Sequence, residues 1–165
     1  MTIGKQEYRD AMARFAAAVN VITTGGKAGL AGFTASAVCS VTDDPPTLLV
    51  CANRRNDSYS IFKENMVLCV NTLTPSLEGH SALFAGGTAE VKKTRFNTVK
   101  WHALQNGAPV LDGAAIAFDC RIDRIIETDT HDVFLCVVDA IELGESDASL
   151  IYYKRQYHHL IGDVM

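Results

Sequence analysis

Residues 34–51 read TASAVCSVTDDPPTLLVC. From Thr34 the side chains alternate, placing Thr34, Ser36, Val38, Ser40 and Thr42 on one face of a strand and Ala35, Ala37, Cys39 and Val41 on the other. The strand is predicted over 31–42. Asp43-Asp44-Pro45-Pro46 ends it, because proline fixes φ and lacks a ladder donor. Thr47–Cys51 begins a second strand, and its continuous apolar character predicts a central, buried position. The first strand has an unusual face of small side chains and hydroxyls. Small residues let a flat heterocycle approach the backbone, and hydroxyls and main-chain N–H groups bond its polar edge. A half-exposed edge strand whose Thr and Ser face water explains the pattern as well.

On the N-terminal side, Tyr8, Met12, Phe15, Ala16 and Val19 follow helical spacing, which predicts a helix over 5–18. Val21–Thr24 reads as a short strand, followed by a turn at Gly25, Gly26 and Gly29. On the C-terminal side the spacing predicts a short helix over 57–64 and a strand at Met66–Asn71. A helix follows, with Thr74 as N-cap, Pro75 at its first position, and an end at Gly86-Gly87. Residues 88–113, which hold the single tryptophan Trp101, read as less regular. Ile116–Asp123 and Val133–Ile141 are long strands, and Leu150–Tyr153 is expected to close the sheet. Many short strands close in sequence, with a few helices, predict a mainly β protein: an antiparallel Greek-key barrel carrying helices.

Composition bounds the function. The chain has 165 residues, 48% hydrophobic and 21% charged, without a compositional break, so one domain over 1–165 is expected. A net charge of -4 gives no footprint for nucleic acid. No apolar run approaches the roughly 20 residues of a bilayer crossing, and Met1–Asp10 lacks a signal-peptide core, so a cytoplasmic protein is expected. Cys39, Cys51, Cys69, Cys120 and Cys136 form no CxxC pair and are expected as buried small hydrophobes, with no metal site. GxGxxG and GxxxxGK[ST] are absent, so a nucleotide must be bound without those phosphate loops.

Several residues are candidates for chemistry. Asn53–Ser58 follows a buried strand and precedes a helix, so Ser58 and an arginine there can cradle a phosphate. A solvated, capped turn accounts for it equally. Gly86 after Phe84 offers a second phosphate or ribose contact, or merely a helix stop. Arg95 pairs with phosphate or with a surface carboxylate. His131, at a strand junction, can position a ring or stand in solvent, and Tyr157 can stack on one. No Ser-His-Asp, Cys-His or paired-carboxylate arrangement stands out. That silence suits hydride transfer, where cofactors carry the reactivity and the protein supplies geometry.

The runs Tyr8–Met12, Ala17–Thr24, Gly32–Thr42, Pro45–Cys51 and Leu68–Asn71, with Arg95-Phe96, Trp101, Pro109–Leu111, Thr130-His131 and Tyr153–His158, closely resemble the small flavin reductases, the partner components of two-component flavin monooxygenases. Within that family the chain is similar to the branches that serve 4-hydroxyphenylacetate 3-monooxygenase and pyrimidine utilisation. The resemblance covers nearly the whole chain. It implies a split β-barrel, a homodimer, and NAD(P)H-dependent reduction of FMN or FAD for a partner monooxygenase. It puts the flavin ring against Thr34, Ala35, Ser36, Ala37, Val38, Cys39 and Ser40. It puts the phosphate tail near Asn53–Ser58 and Phe84–Gly86, with Arg95 as a further contact, and it implies Cys51 and Ala52 as cofactor-binding residues. His131 and Tyr157 are implied near the nicotinamide. Ala89-Glu90-Val91-Lys92-Lys93 departs from the family pattern, which puts phosphate contacts there in question. Rival readings are a non-catalytic flavin carrier, a pyridoxine-phosphate oxidase of the same barrel type, and a purely structural protein.

Overall fold

A computed structural model describes residues 2–162. Four helices and twelve strands are present among them: α1 (Lys5–Met12), β1 (Ala17–Ala18), β2 (Asn20–Thr24), β3 (Ala31–Ala35), β4 (Val38–Asp43), β5 (Pro46–Asn53), α2 (Tyr59–Asn65) and β6 (Val67–Thr72) in the first half. A 3-10 turn at Pro75–Leu77 leads into α3 (Glu78–Ala85), followed by α4 (Ala89–Thr98), β7 (Trp101–Ala103), β8 (Pro109–Leu111), β9 (Ile116–Glu127), β10 (His131–Leu143), β11 (Ser149–Tyr153) and β12 (Gln156–Leu160).

The main sheet has seven antiparallel strands in the order β3-β2-β6-β9-β10-β5-β4. Its ladder is not closed, and β3 and β4 are its two edges. Those edges are nevertheless consecutive in the chain, joined through Ser36-Ala37. Three peptide steps span at most roughly 11 Å, so the sheet curls until its first and last strands nearly meet. The alternating run predicted as one strand is therefore two strands on opposite edges. A bulge between Ser40 and Thr42 breaks the alternation again.

The curled sheet encloses a core of Ile22, Phe33, Val50, Phe62, Leu68, Cys120 and Phe134. Phe62, from α2, is fully buried there and meets the edge of Phe33 at 5.1 Å between centroids. On the other face of β2, Val21 joins Val19, Leu73, Phe84, Phe96 and Leu150 beneath α3 and α4. Because β2 is covered on both faces, its threonines need partners. Thr23 Oγ1 donates to the Pro109 carbonyl at 2.5 Å, and Asn71 Nδ2 donates to the Val21 carbonyl at 3.1 Å.

Several expectations are corrected. The first helix stops at Met12, and none of its residues is buried: Phe15 lies in the following turn and Val19 packs in the second cluster. Thr47–Cys51 lies within the sheet but is only partly buried, because its neighbour β4 is an exposed edge. The Thr74 hydroxyl does not cap its helix; it donates to the Gly113 carbonyl at 3.0 Å. Leu150–Tyr153 does not close the main sheet, since β11 belongs to a separate sheet, β1-β11-β12. Residues 88–113 contain a three-turn helix, α4, capped by Thr88 accepting from the Val91 N–H at 3.3 Å. All five cysteines are free, but Cys39 is exposed and Cys51 half-buried rather than in the core.

Candidate functional site

Three clefts adjoin the chain where β3 leaves the sheet. The first, about 220 Å³, is polar and lies between Gly32, the loop after β5, the end of α3 and the face of α4. Asparagine turns shape the loop: Asn53 Oδ1 accepts from the Arg55 N–H at 2.9 Å, and Asn56 Oδ1 from the Ser58 N–H at 3.0 Å. Its start is tied to β10. Arg54 Nε donates to Asp132 Oδ1 at 2.6 Å, and the Tyr59 hydroxyl donates to the other oxygen. Burial pushes the Asp132 carboxyl up, but the hydrogen bonds from Tyr59 and Arg54 outweigh it and hold it below the usual carboxylate range.

Gly32 forms the back wall. A Cβ there would sit 2.9 Å from the Ile22 carbonyl oxygen and 3.0 Å from the Phe84 ring, so the approach of α3 requires glycine. The Gly32 carbonyl accepts from Arg95 Nη2 at 2.6 Å and Ser58 Oγ at 3.3 Å. Arg95 is 3% exposed, stacks over Phe84 at 4.7 Å, and leaves its buried Nε without a partner. Burial without a carboxylate pulls its pKa down. A buried guanidinium with an unpaired N–H is a group that gains from an anionic ligand. At the mouth, Lys92 Nζ sits 2.5 Å from Asp57 Oδ2 and holds that carboxyl below its ordinary value.

The second cleft, about 200 Å³, is lined by Thr34, Ala35, Ser36, Ser81, Tyr157 and their neighbours. Thr34 Oγ1 donates to the Ser81 carbonyl at 2.6 Å, and Ser81 Oγ bonds the Tyr157 hydroxyl at 2.7 Å. Gly32 and Thr34 are two residues apart on β3, and Ser81 and Phe84 one turn apart on α3, so the same two elements wall both clefts. As an edge strand, β3 also keeps one row of backbone groups outside the ladder. A third, more apolar hollow of about 460 Å³ continues past Ser36, Ala37 and Tyr152 to Tyr8, Met12 and Phe15 of the N-terminal segment.

The structure thus brings Asn53, Ser58, Phe84, Gly86 and Arg95 together in one cleft and Thr34, Ala35, Ser36 and Tyr157 in another, with Ala37 at the third. Val38, Cys39 and Ser40 lie past the kink on β4, and Cys51 and Ala52 on β5, outside these three clefts. His131 pairs in register with Asn53 and is exposed, its Nδ1 2.9 Å from Thr130 Oγ1; the cleft holding Tyr157 does not include it. Sequence reasoning missed Lys92, Ser81 and Tyr152. For Lys92 a signal existed: Thr88 caps a helix on which Lys92 and Arg95, three apart, share a face. Among the described residues no cluster of three or more His, Cys, Asp or Glu could hold a metal, and no helix is long and apolar enough to cross a membrane.

Residues 12–160 match the family model described as "Flavin reductase like domain". The chain is 52% identical over 159 residues to the FMN reductase (NADH) RutF of Serratia proteamaculans, covering 96% of this chain and 90% of that protein. It is 54% identical to FMN reductase (NADH) RutF 2 of Rhizobium rhizogenes, covering 93% of this chain and 88% of that one. Among solved structures it is similar to the flavin reductase PheA2, with a TM-score of 0.86, 26% identity and coverage of 97% and 100%. It is also similar to BorF, the flavin reductase component of a bacterial two-component tryptophan halogenase, with a TM-score of 0.89, 25% identity and coverage of 97% and 100%.

Proposed function

The chain belongs to the flavin reductase like domain family, and from that membership we propose that it is an NADH-dependent flavin reductase that takes FMN in preference to FAD and supplies the reduced flavin to a partner monooxygenase. The observation that carries this is the polar cleft around Arg95, joined through β3 and α3 to a hollow lined by small residues. The fit is chemical. Arg55, Lys92 and Arg95 face one carboxylate, Asp57, so the charged groups of the cleft sum to a net +2, against a phosphate monoester of charge about −2 at neutral pH.

In this reading Arg95 and Ser58 hold the phosphate, while Asn53 and Gly86 line its path. Thr34, Ala35 and Ser36 admit the ring plane, and the outer backbone edge of β3 bonds its polar rim. Because the Thr34 hydroxyl is committed to Ser81, main-chain groups rather than that hydroxyl serve the ring. Tyr157, held by Ser81, flanks the ring and shields it from water. His131, opposite Asn53, is proposed as a positioning group at the nicotinamide end. When bound together, nicotinamide and flavin supply the redox chemistry, a hydride passing from C4 of the one to N5 of the other. The side chains provide orientation, not acid–base catalysis.

We further propose that the whole chain acts as one domain of split-barrel type, working as a cytoplasmic homodimer. The curl that brings β3 to β4 supports the barrel, and the exposed Tyr8, Met12 and Phe15 beside the third hollow support a second subunit there. Anaerobic bleaching of FMN by NADH with the purified protein tests the function. Catalytic bleaching is expected. Stoichiometric binding of FMN without bleaching would point instead to a carrier.

A further inference from the structure

The phosphate cleft does not end at its mouth. A second space of about 440 Å³ lies beyond it, and Asp57, Ser58, Lys92 and Arg95 line both. The outer space adds Lys93 and the apolar surfaces of Ile61 and Phe96. The Asp57–Lys92 ion pair, 2.5 Å long, ties the loop before α2 to α4 and borders both spaces. Among the described residues Asp57 is paired only by Lys92, and its side chain is 74% exposed, so the tie can open without disturbing the core. Arg95, buried with an unpaired Nε, marks the floor shared by the two.

We propose that the Asp57–Lys92 pair is a specificity latch that confines the bound flavin to a terminal phosphate monoester and, when opened, admits the adenylate extension of a flavin dinucleotide into the outer space. The inference rests on the reading of the inner cleft as the flavin phosphate site. FMN ends at its phosphate and needs nothing further. In FAD the same phosphate is esterified again, and the extension must leave the inner cleft. The adjoining space is reached past Asp57 and Lys92. With the pair closed, the passage is barred and Lys92 is held by Asp57, so it offers a second phosphate no free charge. With the pair open, Lys92 and Lys93 face that phosphate, and Ile61 and Phe96 offer an apolar floor for adenine.

The test is equilibrium titration of intrinsic flavin fluorescence with FMN, FAD and riboflavin, on wild type, Asp57→Ala and the charge exchange Asp57→Lys with Lys92→Asp. Riboflavin, which has no phosphate, is the internal reference. Wild type is expected to bind FMN more tightly than FAD. In Asp57→Ala the ratio of FAD to FMN dissociation constants should fall about tenfold, as one freed lysine charge predicts. The exchanged pair should return the ratio towards wild type. An unchanged ratio in Asp57→Ala, or no recovery on exchange, would overturn the latch while leaving the reductase reading intact. Failure of wild type to bind any flavin would overturn the reductase reading itself.

Discussion

Arg95 shows how much a single buried charge organises. It reaches inward to the Gly32 carbonyl, stacks on Phe84, lines the cleft, and keeps a buried Nε–H without a partner. Hydrogen bonds from a charged group contribute about 1.5–3 kcal/mol, so Arg95→Met should weaken FMN binding roughly tenfold to a hundredfold. Riboflavin binding should change far less. Equal losses for both flavins, measured by fluorescence titration, would mean that Arg95 serves the fold rather than the phosphate. His131 makes a separate prediction: His131→Asn should raise the KM for NADH and leave that for FMN in place. At this scale the sequence was partly readable. Ser58 stands beside a recognisable helix start, whereas Arg95 stood out only as a basic residue in a stretch that reads as irregular and proves to be the last turn of α4. Lys92 was hidden because α4 carries only Val91 and Phe96 as large apolar residues, too few to mark a helical face, and a polar run reads as a solvated segment until its helix is placed.

Among elements, α2 acts as a plug. Its residue Phe62 fills the curled sheet, so Phe62→Ala should cost about 3–5 kcal/mol, read as a lower urea midpoint with an unchanged denaturant slope. The strap between β7 and β10 carries a pH dependence. His102 bonds Asp112 at 2.8 Å and Glu142 at 3.0 Å, and these carboxylates, Asp112 first, raise its pKa. A group whose folded pKa is raised contributes fully below its unfolded value of about 6.5 and loses that contribution as pH rises through the folded value. Stability should therefore begin to decline as pH rises past the unfolded value of about 6.5 and go on falling through the raised folded value, and His102→Gln should flatten that slope. Strands with alternating side chains were legible, as in β9, although its first half is covered on both faces, Ala117 and Asp119 being buried as well as Cys120 and Ile122. The strand β12 was not, because all of Gln156–Leu160 is exposed and no alternation marks it. The predicted helix over 5–18 failed for a related reason: Tyr8, Met12 and Phe15 show helical spacing but stay at the surface, and helical spacing alone does not say what an apolar face meets.

For the whole molecule, the decisive feature is the two-residue passage through Ser36-Ala37 from one sheet edge to the other. Strand order cannot be read from spacing, since it depends on which distant segments pair, and β2 finds β6 across nearly fifty positions. The same passage sets Thr34 and Ala35 on an edge strand, where the ladder pairs one side only. If a second subunit covers Tyr8, Met12 and Phe15, light scattering should report a dimer, and Phe15→Glu should shift the protein towards monomer. On the proposed reading these clefts turn over flavin at the expense of NADH. Loss of NADH absorbance, followed with purified protein before and after addition of FMN, tests it most directly. Oxidation that begins only when FMN is added is the predicted result; no oxidation of NADH with FMN present, by a protein that binds the flavin, would contradict it.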